Sequence, residues 1–396
     1  MMFCEKPIGE IADVTKLAGF EFTKYIKYNE TGEIIALRAL NLRNGELDLS
    51  DIKRIDRSVS EGLTRSKLYE NDILLTYTGN GYGDCAIIEE NDKYHLAPNI
   101  CKIVPNRALV EPYFLYSYIR SNDFYKQMSS NMTGSGQPTI PMKTIRTLKV
   151  PVPQMEIQKK IANIIQAINL KLRTNRAINE NLEQQISSIY ANFCESKSWK
   201  PCELGSIIDV KDGTHDSPKP QTSGYLLVTS KHLLPYGVDR ITPNRITEKD
   251  FKKINERSLV EQGDVLMSMI GTIGLISFVT EREIDYAIKN VALFKTSRTP
   301  NLAYYFLTFL KSNKTQQYIE MCLAGSTQKY ISLGELRKMP IPVPDSETLE
   351  CFNEIVSPMY QAIILNSKEN YAFAALRDSL LPKLMSGEID VSKIDI

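Results

Sequence analysis

Apolar residues recur in alternating steps of four and three along one long stretch of the chain. The positions in this first series are Ile161, Ile165, Ile168, Leu172, Asn175, Asn179, Leu182, Ile186, Ile189 and Phe193. A second series lies 191 residues further on, at Phe352, Val356, Met359, Ile363, Asn366, Asn370, Phe373, Arg377, Leu380 and Leu384. This spacing is that of a coiled-coil seam, so each series predicts a long helix. A helix of about 40 residues spans roughly 60 Å.

Each predicted seam is interrupted at matching places by two asparagines, Asn175 and Asn179 in the first helix and Asn366 and Asn370 in the second. A solvated helix surface tolerates asparagine anywhere, but recurrence at matched seam positions favours two helices that pack on each other, with the amides fixing their register. We expect antiparallel pairing, because a whole domain separates the helices and a pseudo-twofold axis can then relate the two halves. Pro358 lies inside the second seam and predicts a kink or a delayed helix start.

The segments that precede the two helices are also related. The phrase VPVP at residues 150–153 returns as IPVP at residues 341–344, and the segments 134–153 and 325–344 that end in these phrases are identical at eight of twenty positions. Two prolines one residue apart fit neither a helix interior nor a central strand, so each phrase predicts an extended hinge. The period is too long for a solenoid, so we interpret the chain as a tandem duplication of a domain and its following helix.

The remaining segments have the pattern of two mixed domains. Short apolar runs at residues 34–37, 72–75 and 264–267 predict strands, and residues 113–127 and 302–318 have helical spacing. We therefore predict an α+β fold, in which two tandem α/β domains are separated by two long helices packed as an antiparallel coiled coil. The predicted segments are a first domain, 1–153; a spacer helix, 154–199; a second domain, 200–344; and a second helix with the tail, 345–396.

Composition is that of an ordinary globular protein of 396 residues, with 42% hydrophobic and 24% charged residues. The absence of a signal-peptide core and of any apolar run of roughly 18 residues predicts a cytoplasmic location. Seven scattered cysteines without a CxxC pair predict reduced, mostly buried thiols. A net charge of +1 supplies no general attraction to nucleic acid, so DNA binding would need locally concentrated basic residues or a partner's charge.

No catalytic constellation is evident in the sequence. His95, His215 and His232 form no ligand-spaced cluster, and no nucleophile elbow, Walker A loop or amino-methyltransferase motif occurs. The glycine-rich phrases GNGYG, at 79–83, and MIGTIG, at 269–274, lack dinucleotide-loop spacing and are interpreted as hairpins. We therefore predict no catalytic residue, metal site or cofactor in this chain.

Polar loops supply candidate contacts to DNA, because their hydroxyl, amide and basic side chains suit base edges and phosphates. The candidates are Thr78, Asn80, Tyr82, Ser135, Gln137 and Lys143 in the first domain, and Lys211, Thr214, His215, Lys219, Lys231, Ser326, Gln328 and Lys329 in the second. The same residue types are ordinary turn formers, so a purely structural role is the alternative for each of them.

Several phrases together carry a family resemblance. They are the paired endings GSGQPTI…LKVPVPQMEIQKKIA and GSTQKYI…MPIPVPDSE, the loop DGTHDSP, the phrases ENDILL and QGDVLMSMIGTIG, and the terminal LLPKLMSGEIDV. With them, the chain from Ile8 to its end resembles the specificity subunit of type I restriction-modification enzymes. The resemblance implies two target-recognition domains, each reading one half of a bipartite duplex DNA target, and a helix pair that sets the unread gap. Thr348, Pro358 and Arg377 depart from a clean apolar seam.

The resemblance also implies partners. They are two modification subunits, which bind S-adenosylmethionine and methylate adenine in DNA, and restriction subunits, which translocate and cut. The target base would be flipped into a partner's pocket, so this chain would act without catalysis or a cofactor of its own. The near-neutral charge supports the alternative of a two-headed scaffold that binds proteins and not DNA.

Overall fold

The computed structural model describes residues 3–79, 81–133, 138–196, 199–325, 329–392 and 394. The chain divides into two compact units. The first unit consists of Met1–Leu172 with Ala372–Ile396, and the second unit is Arg173–Tyr371. Each of the two long helices contributes one part to each unit.

The first unit is built from short strands and short helices. Its strands are β1 (Cys4–Pro7), β2 (Ala12–Lys16), β3 (Ile34–Leu37), β4 (Leu42–Arg43), β5 (Glu46–Leu47), β6 (Lys53–Ile55), β7 (Ile73–Thr76), β8 (Cys85–Ile87), β9 (Tyr94–Leu96), β10 (Ile100–Pro105) and β11 (Lys149–Val152). Its short helices are α1 (Ile8–Ile11), α2 (Gly19–Tyr25), α3 (Arg57–Gly62), α4 (Pro112–Ile119), α5 (Asn122–Ser130) and α6 (Met142–Thr147). The first long helix, α7 (Met155–Ser196), follows.

The second unit repeats the order of the strands, with no α-helix among its described residues at the places of α1 and α2. Its strands are β12 (Pro201–Glu203), β13 (Val210–Asp212), β14 (Tyr225–Val228), β15 (Leu233–Leu234), β16 (Gly237–Val238), β17 (Arg245–Ile246), β18 (Val265–Ser268), β19 (Ile276–Phe278), β20 (Tyr286–Ile288), β21 (Val291–Phe294) and β22 (Pro340–Pro342). Its short helices are α8 (Glu248–Ser258), α9 (Ala303–Lys311), α10 (Asn313–Met321) and α11 (Leu333–Lys338). The second long helix is α12 (Ser346–Ser386).

The sheets of the two units have the same topology. A four-stranded antiparallel sheet has the order β2-β10-β7-β8 in the first unit and β13-β21-β18-β19 in the second. A three-stranded sheet has the order β6-β3-β9 in the first unit and β17-β14-β20 in the second, with β3 parallel to β9 and β14 parallel to β20. The predicted mixed fold, with two domains of like architecture and a long helix between them in sequence, is therefore confirmed.

Strand β7 shows why the central strands are apolar along their whole length. All four of its residues are buried. Ile73 and Leu75 belong to a hydrophobic core that includes Phe114 of α4, whereas Leu74 belongs to a second core with Leu96 of β9. Successive side chains of a strand point to opposite faces, so a strand covered on both faces needs apolar residues at every position.

The residues that recur in both halves of the sequence hold equivalent elements together. Arg146 donates from Nη2 to the carbonyl of Val14 at 2.6 Å, and Arg337 donates in the same way to the carbonyl of Val210 at 2.7 Å. Gly9 lies so close to Arg146 that a Cβ atom there would be 3.1 Å from the arginine Cβ. The repeated arginines therefore dock α6 and α11 on their sheets.

The proline-containing phrases form short two-stranded ribbons. β11 pairs antiparallel with β1, and β22 pairs antiparallel with β12. Among the described residues, neither β11 nor β22 has a second neighbouring strand. Proline is tolerated there because the side of the strand that lacks an N–H donor needs no partner.

In the second unit, α7 and α12 run antiparallel and meet through their asparagines. Asn366 donates from Nδ2 to Asn179 Oδ1 at 2.9 Å, and Asn175 donates to Glu369 Oε2 at 3.0 Å. Further along α7, the Phe193 ring lies 5.6 Å from that of Phe352. Residue numbers fall along α12 as they rise along α7, which is the antiparallel arrangement that the repeated asparagines predict.

The first unit contains the other parts of the same two helices. Ile161 and Ile165 of α7 share a hydrophobic core with Leu384 of α12. Arg377 donates from Nη1 to Asn169 Oδ1 at 3.4 Å, which explains how a basic residue is accommodated at a seam position. The predicted seam residues are buried at Ile161, Ile165, Ile168, Leu172, Asn175, Phe352, Val356 and Ile363, and half-buried at Asn179, Leu182, Met359, Asn366, Asn370 and Phe373.

Pro358 does not delay the second helix. α12 begins at Ser346, directly after Asp345, whose Oδ1 accepts from the Thr348 N–H at 2.8 Å. The helix continues through Pro358 without interruption. Val356 and Tyr360 on either side are buried, and their packing compensates for the one backbone hydrogen bond that proline cannot make. The expected delayed start was therefore wrong.

The cysteines form no disulfide bond. All seven are free, but only Cys85 and Cys101 are buried, so the expectation of mostly buried thiols was wrong. Burial raises the pKa of both thiols to about 12, which makes these two unreactive. Cys4 and Cys351 are exposed because they lie on a short ribbon and on a helix surface outside the cores.

Each unit contains a buried lysine–aspartate pair beside its central strands, with the aspartate just before β7 or β18 and the lysine within β10 or just after β21. In the second unit, Lys295 donates from Nζ to Asp264 Oδ2 at 2.6 Å and to Glu261 Oε2 at 2.7 Å, and the Lys295 side chain is 1% exposed. In the first unit, Lys102 Nζ lies 3.7 Å from Asp72 Oδ2. Burial raises the pKa of Asp72 and lowers that of Lys102, with the partner's charge opposing each shift.

Replacing Lys295 by methionine should strongly destabilise the second unit. The change leaves the Asp264 carboxylate buried without its counterion, at a cost of about 3–5 kcal/mol in the free energy of unfolding. Urea denaturation of the purified variant measures this cost. The control is Lys252→Met, because Lys252 forms an exposed ion pair with Glu248 and its loss should change stability little. Equal stability of the two variants would contradict a structural role for the buried pair.

Candidate nucleic-acid interface

In the second unit, strand register collects several loops at one end of the four-stranded sheet. β13 and β18 both run antiparallel to β21. Asp212, at the end of β13, lies opposite Ala292, and Ser268, at the end of β18, lies opposite Val291. The loops that follow β13 and β18 and the turn that precedes β21 therefore emerge at the same end, which we call the loop end of the unit.

The three-stranded sheet brings a further segment to this place. β14 pairs parallel with β20, so the segment after β14 starts beside residues 289–290. The Lys289 N–H donates to the carbonyl of Val228 at 2.8 Å. Lys231, which follows β14 and is exposed, thus belongs to the loop end with Lys211, Thr214, His215 and Lys219, which lie in or just after β13.

The loop after β13, residues 213–219, is held by a polar network. Thr214 donates its N–H to the carbonyl of Ile288 at 3.0 Å, and His215 lies 2.7 Å from Asn290 Oδ1 and 3.1 Å from Asp212 Oδ2. Asn290 has a φ of 53°, in the left-handed region that asparagine tolerates. The side chains that fix this loop are therefore Asp212 and Asn290 as well as His215 itself.

A cavity of about 380 Å³ lies between this loop and α8. His215, Lys253 and Arg257 supply its basic groups, and Asp216 and Asp250 supply its acidic groups. Arg257 is committed to an ion pair with Asp212, whereas Lys253 is exposed. Lys253 and the hydroxyls of Thr214 and Ser217 are groups that suit a phosphate.

The hairpin after β18 lies beside the segment that precedes α11. Ile331 donates its N–H to the carbonyl of Met269 at 3.1 Å. The backbone of Tyr330 pairs antiparallel with those of Ile270 and Ala324. Lys329 is exposed next to Tyr330. The candidates Ser326 and Gln328 lie outside the described residues.

The first unit gathers its loops in the same way. β2 ends at Lys16 opposite Cys101, and β7 ends at Thr76 opposite Ile100, so the loops after β2 and β7 share one end of the sheet. The backbones of Thr78 and Thr139 pair antiparallel, as those of Ile270 and Tyr330 do in the second unit. In addition, Thr78 Oγ1 lies 2.7 Å from Thr139 Oγ1.

Of the other first-unit candidates, Lys143 is exposed on α6, whereas Thr78 is buried. Tyr82 lies on the loop between β7 and β8. Asn80, Ser135 and Gln137 lie outside the described residues.

Sequence reasoning missed the first-unit counterpart of the loop 213–219. Between β2 and β3 the first unit places α2, with exposed Phe20 and Tyr25, whereas the second unit places the loop between β13 and β14. Lys24 lies over the Tyr25 ring at 5.0 Å, and Lys16 lies over the Tyr77 ring at 5.3 Å. The signal was present in the interleaved aromatic and basic residues of GFEFTKYIKY, residues 19–28.

Other classes of site find no support among residues 3–79, 81–133, 138–196, 199–325, 329–392 and 394. No group of three or more His, Cys, Asp or Glu side chains in these ranges could hold a metal ion. No helix in this part of the chain is long and apolar enough to cross a membrane.

Comparison with known proteins identifies the family. The description "Type I restriction modification DNA specificity domain" matches residues 3–184 and again residues 196–372. The specificity subunit of the MjaIX enzyme of Methanocaldococcus jannaschii is 24% identical, over 98% of this chain and 93% of its own length. That of the HindI enzyme of Haemophilus influenzae is 19% identical, over 93% of this chain and 96% of its own.

A solved structure has a similar fold. The crystal structure of the S subunit of a type I restriction-modification system from M. genitalium superposes with a TM-score of 0.60. It covers 96% of each chain at 15% sequence identity. The family matches cover both units, and the chain therefore belongs to the family of type I restriction-modification DNA specificity domains, of which it carries two copies.

Proposed function

We propose that this chain is the DNA sequence-specificity subunit of a type I restriction-modification enzyme, and that each unit reads one half of a bipartite duplex target. The observation that carries the proposal is the repeated loop end: two family domains of the same topology each gather loops of different sequence at one end of the four-stranded sheet. A shared scaffold with divergent loops is what two unlike half-sites require.

The proposal assigns chemistry to partners. The chain acts in the cytoplasm without catalysis of its own, and two DNA adenine methyltransferase subunits that bind S-adenosylmethionine dock on it. Restriction subunits complete the assembly that translocates and cuts DNA. A near-neutral chain suits this division, because partners then share the phosphate contacts.

Within each unit, the contacts of α7 with α12 support a spacer function. The asparagine contacts and the aromatic packing at Phe352 specify which residues of the two helices face each other. We propose that this pair sets the length of the unread gap between the half-sites.

DNA binding by the complex with its methyltransferase subunits should weaken steeply as salt increases. The variant Lys219→Ala/Lys231→Ala removes two exposed cations from the loop end, so the slope of log affinity against log salt should fall by about two. Arg282→Ala is the control, because this exposed residue precedes β20 at the other end of the strand. Fluorescence anisotropy of a labelled duplex measures the slope. A wild-type complex without salt-dependent binding would favour the protein scaffold instead.

Exchanging residues 1–150 for the corresponding domain of another family member should change one half of the methylated sequence and leave the other half unchanged. The reason is that the loops of the second unit are not altered. Sequencing that detects methylated adenines across a bacterial genome gives the answer. A change in both half-sites would contradict independent reading by the two units.

Lengthening both long helices by one heptad, after Leu172 and after Tyr371, should lengthen the gap and preserve both half-sites. Seven residues add about 10 Å of helix, equivalent to roughly three base pairs. Methylation mapping measures the gap directly. The control is an insertion of four residues at the same points, which breaks the seam periodicity and should reduce methylation. An unchanged gap in the heptad variant would rule out the spacer function.

A further inference from the structure

Two tyrosines, half-buried Tyr82 and exposed Tyr125, contact each other at the loop end of the first unit. The rings of Tyr82 and Tyr125 stack with centroids 5.3 Å apart and planes 17° apart, and their hydroxyl oxygens are 2.6 Å apart. Tyr82 lies on the loop between β7 and β8, and Tyr125 lies on α5 with 46% of its surface exposed. Tyrosine is enriched at interfaces because its ring supplies apolar contact area and its hydroxyl supplies a hydrogen-bonding group.

The hydroxyl contact leaves the pair with hydrogen-bonding capacity. One hydroxyl must donate to the other, so one O–H remains uncommitted, together with acceptor lone pairs. Within the part of the chain that the structure describes, these two hydroxyls make no other hydrogen bond to protein. Because either oxygen can be the donor, the pair can present a donor or an acceptor to a ligand.

The backbone holds Tyr82 in place. Gly83 has a φ of +89°, and a Cβ atom there would lie 3.0 Å from the Tyr125 ring. Its N–H donates to the carbonyl of Thr76, at the end of β7, at 2.9 Å. Glycine is required by both the left-handed conformation and the close ring, so the tyrosine pair has a fixed position relative to the sheet.

The second unit keeps this scaffold but changes its chemistry. Gly274 occupies the place of Gly83, with a φ of +82°, and lies against Gln316, which occupies the place of Tyr125. Ile273 stands where Tyr82 does and packs on the hydrophobic core. Gln316 donates to the carbonyl of Leu310 at 2.6 Å. The same position thus carries a hydroxyl pair in one unit and an apolar residue with an amide in the other.

We propose that Tyr82 and Tyr125 form a specificity-determining pair, which hydrogen-bonds through its hydroxyls to base edges of the half-site that the first unit reads. The inference rests on the proposed function and deepens it. A hydroxyl can hydrogen-bond to a donor or to an acceptor on a base edge. Because the pair is held in a fixed position, it can select the base whose groups lie at that position. A pair that only pinned the hairpin on α5 would need ring packing but not the hydroxyls.

The experiment separates the hydroxyls from the rings. Tyr82→Phe and Tyr125→Phe keep the rings and remove one oxygen each, and Tyr125→Gln introduces the residue of the second unit. The complex with the methyltransferase subunits is titrated with duplexes in which each base pair of each half-site is replaced in turn. Thermal unfolding of each variant establishes that the fold is intact. Gln316→Ala is the matched control in the second unit.

Each tyrosine variant should bind the cognate duplex about tenfold more weakly, which is the effect of one lost hydrogen bond. The loss of affinity that a base replacement causes should become smaller at one or two positions of the first unit's half-site. The losses at the other half-site should not change. Gln316→Ala should leave the losses at the first half-site unchanged. If the phenylalanine variants lose as much affinity as the wild type at every replaced base pair, the inference is wrong, while the proposed function is unaffected. A wild-type complex without any base preference would overturn both the inference and the proposed function.

Discussion

The antiparallel register of the central strand in each four-stranded sheet is the constraint on which the candidate interface depends. β10 has β2 on one side and β7 on the other, and β21 has β13 and β18. Because both neighbours run opposite to the central strand, they run parallel to each other and end at the same edge. Loops separated by about 60 residues in sequence are thereby placed together. The buried pair of Lys295 and Asp264 joins the end of β21 to the start of β18 in this same sheet.

Duplication of this sheet explains how one chain can read two unlike sequences. The residues that recur in both halves, such as Gly9 with Arg146 and their counterparts Gly205 with Arg337, dock helices on the sheet. One loop region differs clearly, because α2 in the first unit takes the place of the loop 213–219 in the second. Packing therefore constrains the scaffold, while the exposed loops are free to diverge.

The helix pair has an equally specific chemistry in each unit. Asn179 and Asn366 bond to each other in the second unit, and Asn169 accepts from Arg377 in the first. Each polar contact is satisfied only in one register, whereas an entirely apolar seam would tolerate sliding of one helix along the other. A spacer that must define a distance needs such register-specific contacts.

Much of the architecture followed from the sequence alone. The four-and-three spacing and the repeated asparagines predicted two long helices, and the paired phrases predicted two domains of like fold, because periodicity and duplication are local or internal properties of a sequence. The proline phrases were predicted as extended hinges; they are extended, but each contributes a strand to a two-stranded ribbon. Their pairing with β1 and β12 is non-local and was not predicted.

The composition of the candidate site was decided only by tertiary structure. Sequence reasoning selected Thr78 and His215 from their loops, but it could not show that Thr78 is buried against Thr139 or that His215 lies between Asp212 and Asn290. It gave no sign that Tyr82 would stack on Tyr125, 43 residues away. Residue spacing determines which face of a helix or strand is apolar, whereas contacts between distant loops depend on strand order and register, which no local pattern encodes.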